Sequence, residues 1–294
     1  MAGMSARPDV QPGAGYRRRP GFVLVLVLVA ALAVVGVFWT LNLGEPRGQG
    51  SFRAICTAVS DVGLASLEPD QAENAALISA VGQARGMGPR AVTIGLATAM
   101  QESKLRNLTY GDRDSLGLFQ QRPSQGWGSR EEVLNPIYAS NRFFMALSHV
   151  AGYEDMAVTE AAQAVQRSGF PEAYAGHEAA ARSWASALSG HSPAALTCEL
   201  WQATAPGSAT ELAQVHWDEW QSENAQVVEN TVTVTVADQT AAWAQAQWAV
   251  AKAARLGVES VELVDQRWDR STALWQPTEA PPLPNGQVVI TMAT

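Results

Sequence analysis

The chain has 294 residues, 47% of them hydrophobic, and a formal net charge of −8. That length holds one large or two modest domains with real cores, which excludes a wholly disordered chain. Residues 1–43 carry +3 (Arg7, Arg17, Arg18 and Arg19 against Asp9), so the remainder carries −11. An acidic exterior argues against nucleic acid as the partner, because a phosphate backbone demands a basic face. It says little about neutral sugars.

Residues 1–20 read as a basic cytoplasmic tail. Gly21 to Leu43 is a run of 23 residues without a charge. At about 1.5 Å per residue it would span roughly 34 Å, so a transmembrane helix is expected over 21–43. Arg17 to Arg19 stand just before it and predict a single-pass protein with its N-terminus in the cytoplasm and the rest extracytoplasmic. A cleaved signal peptide is the competing reading. Against it, the apolar run exceeds the usual core of about 7–15 residues and no small-x-small site follows Leu43.

Residues 44–51 form a Gly/Pro linker. Residues 52–200 show helical spacing and no convincing alternating strand. Helices are expected over 73–86, over 89–103 behind a first-turn Pro89, over 135–151, over 159–167 and over 175–188. This predicts an all-α domain. Residues 201–210 form a second linker. In 211–294 the period changes. TVTVTV at 231–236 alternates as a half-buried strand, and a helix capped by Asp238 or Thr240 runs to Leu256 before Gly257. Strands are expected over 258–264 and 287–292, with a hairpin at 268–275. The expected fold is therefore mainly α: an all-α domain after one transmembrane helix, followed by a small α+β domain of unknown role.

Cys56 and Cys198 bracket the central segment. On the extracytoplasmic side a disulfide persists, and it would close a loop of about 140 residues, contributing on the order of 5 kcal/mol in the chain-entropy model. Two unpaired buried thiols are the alternative.

Glu102 falls in the last turn of the helix over 89–103, where unsatisfied carbonyls carry partial negative charge. Small residues, Ala91, Gly95, Thr98 and Ala99, leave space beside it. An apolar wall and a negative helix end both raise a carboxyl pKa, which suits a general acid near neutral pH. A solvated surface glutamate is the commoner role for such a position.

Glu102-Ser103, then a polar loop, then Gly117-Leu118-Phe119-Gln120 resembles the lysozyme-like lytic transglycosylase family of the soluble type, over roughly residues 70–190. Its members carry a Glu-Ser pair at a helix end and a Gly-Leu-Met-Gln turn downstream. The resemblance implies a lysozyme-like fold and cleavage of the β-1,4 link between the amino sugars of peptidoglycan glycan strands. It makes Glu102 the catalytic acid and places Ser103, Gly117, Leu118, Phe119 and Gln120 around the sugar cleft. Phe119 departs from the family's Met. The third motif, Ala-Tyr-Asn-Ala-Gly, has a weak echo in Ala164-Val165-Gln166-Arg167-Ser168, where Gln166 stands for the Asn and the Tyr is lost. The family generally uses a single Glu. The acetamido group of the substrate stabilises the anomeric charge, and a 1,6-anhydro sugar results. An inactive glycan-binding or scaffolding module of the same fold is the alternative.

Glycosidases of the two-carboxylate kind need a second acid. Asp112 and Asp114 are the nearest, although GDRDS is also turn chemistry. Trp127, Phe170 and Tyr174 are candidate sugar-stacking faces or core residues. The stretch from Asp112 fails as a calcium loop, since Leu116 and Pro123 occupy its fifth and twelfth positions. His149, His177, His191 and His216 lack metal-ligand spacing. No metal and no cofactor is expected. Trp248 to Val258 loosely resembles a helix-strand unit from a C-terminal module of secreted actinobacterial proteins. Trp243, Trp248, Trp268 and Trp275 around it are core residues or a glycan platform.

Overall fold

The structure, a computed structural model, describes residues 53–294, and these open on a hairpin. Strand β1 (Ile55–Ser60) turns through Asp61 and Val62 into β2 (Gly63–Leu67). The far edge of β1 pairs with β3 (Leu196–Glu199), giving an antiparallel sheet of order β2-β1-β3. Cys56 stands directly opposite Cys198 in that register, and the two form a disulfide across 142 residues.

Six helices lie between β2 and β3. They are α1 (Pro69–Ala84), α2 (Pro89–Ser103), α3 (Arg130–Leu134), α4 (Pro136–Ser148), α5 (Val158–Gln166) and α6 (Glu178–Leu188). Proline at the first turn of α1, α2 and α4 sets the helical φ where no intrahelical N–H is needed. Asn135 ends α3 and caps α4, its Oδ1 accepting from the N–H groups of Ile137 and Tyr138 at 3.0 and 3.2 Å. The helix expected over 135–151 thus starts at that cap and ends at Ser148, and α3 precedes it as a separate short helix.

After β3 come α7 (Ala209–Trp220), β4 (Ala225–Val228), β5 (Thr231–Thr235), α8 (Gln239–Leu256), β6 (Val258–Leu263), β7 (Gln266–Asp269), β8 (Leu274–Pro277) and β9 (Gln287–Met292). The strands form one antiparallel sheet of order β4-β5-β9-β6-β7-β8. Helix α8 packs on β6 and β9 with one face and on α1 and α6 with the other. Burial all round fits its sequence, in which Ala242 to Ala253 are buried without a break. Gln247 within it is fully buried and fully paired. Its Oε1 accepts from Ala195 and Leu196 N–H at 2.9 and 2.8 Å, and its Nε2 donates to the Ala187 and Ser192 carbonyls at 2.7 and 3.1 Å. The segments before and after residues 201–210 therefore share a core, and residues 53–294 form one compact unit.

The mainly α expectation is corrected. The described residues are 45% helical and 20% strand, in two antiparallel sheets. The segment over 52–200, expected to be all-α, contains a three-stranded sheet. Its strands escape the alternation test because they are short and rich in Ala, Ser, Thr and Cys. β1 and β2 pair as a local hairpin, and β3 is held by a partner more than a hundred residues away.

The membrane placement is corrected as well. No helix among the described residues is long and apolar enough to cross a membrane. The longest, α8, carries Gln245, Gln247, Lys252 and Arg255 along its length. The span expected over 21–43, the tail over 1–20 and the linker over 44–51 lie outside the described residues. A single-pass membrane localisation is not carried forward.

Candidate active site

Helix α2 delivers Glu102, and the way it ends fixes where the carboxyl goes. Lys104 and Leu105 both adopt left-handed φ, 55° and 57°. Leu105 is fully buried and its N–H returns to the Ala99 carbonyl at 3.0 Å. Gln71 and Asn74 of α1 donate to the Lys104 and Leu105 carbonyls, each at 2.8 Å. Two successive unfavourable φ values are sustained because these bonds and the burial of Leu105 over-determine the turn.

Ser103 is buried behind Glu102. Its hydroxyl lies 2.7 Å from the Leu118 carbonyl and 3.0 Å from that of Ala99. The helix end is thereby stitched to the downstream Gly turn. The loop between them closes through Gly117 N–H to the Leu108 carbonyl at 2.8 Å and through paired bonds between Leu116 and Gln121 at 3.0 Å. Gly117 has φ 77°, and a Cβ there would collide with the Val133 carbonyl. Glycine is required at that point on both counts. Leu118 and Phe119 are fully buried, and Phe119 stacks on Phe143 of α4 at 4.6 Å between ring centroids. These two side chains anchor the turn, while their carbonyls accept from Ser103 and, at 2.8 Å, from Gln166 Nε2.

Glu102, Gln120 and Gln166 face a common cleft of about 1110 Å³. Trp127 and Phe170 line it as well, and Phe170 is 77% exposed. Ser103, Gly117, Leu118 and Phe119 form the layer behind. Tyr174 is wholly buried, in a 3₁₀ segment over Pro171–His177, and donates its hydroxyl proton to Glu102 Oε1 at 2.7 Å. Burial raises the Glu102 pKa above its ordinary value, and the Tyr174 hydroxyl and then the Gln166 amide pull partly the other way. Desolvation prevails, so the carboxyl keeps its proton to higher pH than a surface glutamate does.

The two aspartates differ. Asp114 Oδ1 pairs with Arg122 Nε at 2.8 Å, and Oδ2 accepts the Ser124 N–H at 2.7 Å. The Arg122 guanidinium and the Ser124 donors hold its carboxyl far below the usual range, so it is a loop fastener in its ionised form. Asp112 sits on the cleft lining with its side chain 93% exposed. Glu102 and Asp114 are thus held toward opposite protonation states. Among the described residues no group of three or more metal-ligating side chains converges. His216 is buried against Gln245, at 3.0 Å, and Trp243, Trp248 and Trp268 lie in the core.

The Tyr174 hydroxyl is the partner that residue spacing along the chain did not reveal. Tyr174→Phe is expected to slow any reaction that needs Glu102 by about tenfold, from the loss of one hydrogen bond to a chargeable group. Because that bond lowers the Glu102 pKa, the alkaline limb of the rate profile should move to higher pH. A pH series on the variant reads both effects.

Neither a known family nor a curated protein matches the sequence.

Proposed function

We propose that this protein cleaves the β-1,4 bond between the amino sugars of peptidoglycan, with Glu102 as general acid and then general base. The observation that carries the reading is a half-buried carboxyl, shifted toward its protonated form, that opens into a cleft. Such a group can give a proton to a departing glycosidic oxygen at a pH where ordinary carboxylates have none. The cleft slightly exceeds the roughly 300–1,000 Å³ of a small-molecule site, which suits a polymer segment. The stitch from Ser103 to the Gly117 turn joins the two motifs on which the resemblance to lytic transglycosylases rests, and Gln166, from the weak echo of the third, bonds to the same turn.

The chemistry is the one the resemblance implies, with a single acid and the substrate's own acetamido group. Protonated Glu102 gives its proton to the bridging oxygen as the bond to the anomeric carbon breaks. The neighbouring acetamido oxygen of the sugar closes on that carbon and holds the charge. Glu102, now ionised, takes the proton of the 6-hydroxyl, whose oxygen displaces the acetamido group and leaves a 1,6-anhydro end. Asp114 is bound to Arg122 and takes no part.

The test incubates the full chain and its Glu102→Gln variant with purified cell-wall sacculi and analyses soluble fragments by mass spectrometry. Anhydro ends from the parent chain alone are expected. Reducing ends from the parent alone would replace this route by hydrolysis. Absence of fragments from both would overturn the reading in favour of a glycan-binding module.

A further inference from the structure

Residues 44–294 contain 16 Lys and Arg against 27 Asp and Glu. The cleft inverts that balance: Arg113, Arg122, Arg142 and Arg167 line it, against only Glu102 and Asp112. A local excess of guanidinium over carboxylate attracts anions at short range.

The four arginines are not equivalent. Arg122 is spent on Asp114 and Ser124. Arg113 is largely exposed and lies 3.9 Å from Asp112. Arg142, on α4, makes no ion pair among the described residues. Its Nη2 donates to the Gly126 carbonyl at 3.1 Å, while its Nε is buried without a partner. Arg167 has φ 52° at the left-handed end of α5 and is exposed, likewise without an ion pair among the described residues. It follows Gln166 directly, so it stands one residue from a group that acts on Glu102. A planar guanidinium left unpaired beside a cleft is suited to a carboxylate, which it meets through parallel N–H donors.

We infer that Arg142 and Arg167 are specificity residues that select a glycan bearing carboxylates over the same backbone without them. This rests on the glycan-cleaving reading above and deepens it. The selected strand would present a carboxylate on a sugar substituent within reach of one guanidinium, while the β-1,4 bond lies at Glu102. The neutral backbone would bind weakly, through Gln120, Gln166 and the aromatic rim.

The experiment measures binding by calorimetry on the full chain carrying Glu102→Gln, so that no probe is consumed. The probes are chitohexaose, O-carboxymethylated chitohexaose, and peptide-free cell-wall strands that keep their lactyl carboxylates. Both anionic probes should bind at least about tenfold more tightly than chitohexaose. The difference should shrink as ionic strength rises from about 50 to about 300 mM, as a partly exposed charge contact requires. Arg142→Gln with Arg167→Gln should bring all three probes to the neutral affinity, whereas Arg267→Gln, on the far sheet, should change none. Should the double variant lose chitohexaose binding too, Arg167→Gln alone decides, since that exposed side chain is not needed for folding; an unchanged preference in it overturns the proposal. Equal binding of neutral and anionic probes overturns this inference and leaves the glycan reading standing. Failure of all three to bind overturns both.

Discussion

For the glycan cleavage proposed above, Glu102→Gln should lower the rate by about 10²–10⁴, the range attributed to a positioned proton donor, and at the same time make the protein more stable at neutral pH. The first effect follows because the amide has no proton to give and cannot act as a base in the second step. The second follows from linkage. Burial raises the Glu102 pKa in the folded chain above its unfolded value of 4.5. Below that value both states hold the proton and the side chain is neutral in each. As pH rises from there through the raised folded pKa, the unfolded state loses its proton first and stability falls. The variant carries no such penalty. Its thermal midpoint should match the parent's near pH 4 and exceed it increasingly as pH rises, levelling once the parent's carboxyl is ionised in the fold. Tyr174 can still donate to the amide oxygen, so positioning is retained. Melting curves across pH, run beside the sacculus assay, test both. An activity loss with no pH-dependent gain in stability would mean that the carboxyl is not desolvated.

The largest stability effect is expected far from the cleft. Lys252 of α8 and Glu219 of α7 are 1% and 3% exposed, and Nζ lies 2.5 Å from Oε1. The other oxygen of Glu219 accepts the Trp248 indole N–H at 2.7 Å. Glu73 of α1 stands 3.9 Å from the same ammonium. Glu219→Ala should cost about 3–5 kcal/mol, because it strands a buried ammonium with only a distant second partner. The double change Glu219→Leu with Lys252→Met should recover most of that loss, since two apolar side chains of similar volume leave no charge to compensate. Urea unfolding of the single and double variants measures the difference. A single-variant cost under about 1 kcal/mol would show that Glu73 and water replace Glu219.

Local signals served the sequence reading best. Helix α2 runs from Pro89 to Ser103 and β9 from Gln287 to Met292, as spacing and punctuation predicted. Helix α8 ends at Leu256 because Gly257 takes φ 69°. The three-stranded sheet was not legible. GLASL pairs with β1 across a two-residue turn but carries no alternation to mark it, and LTCE becomes a strand only because the distant β1 lies beside it. Helix α7 was not anticipated, and it begins within the Gly/Pro-rich stretch read as a linker. At the site, motif order proposed Glu102, Gln120 and Gln166, and they line one cleft. Leu118 and Phe119 were assigned to the cleft wall, yet they support it from within, since residue type does not tell which side of a turn faces solvent. Tyr174 was named as a stacking face or core residue. Its bond to Glu102 joins positions 72 residues apart, which no periodicity encodes.

The cross-link between β1 and β3 has a covalent consequence for damage tolerance. Glu102, the Gly117 turn, Gln166 and Tyr174 all lie inside the loop that Cys56 and Cys198 close. A protease that nicks the exposed stretch around Gly111 and Asp112 would cut the polypeptide and free neither piece. Both halves of the cleft would remain on one molecule, migrating as a single band until a reductant separates them.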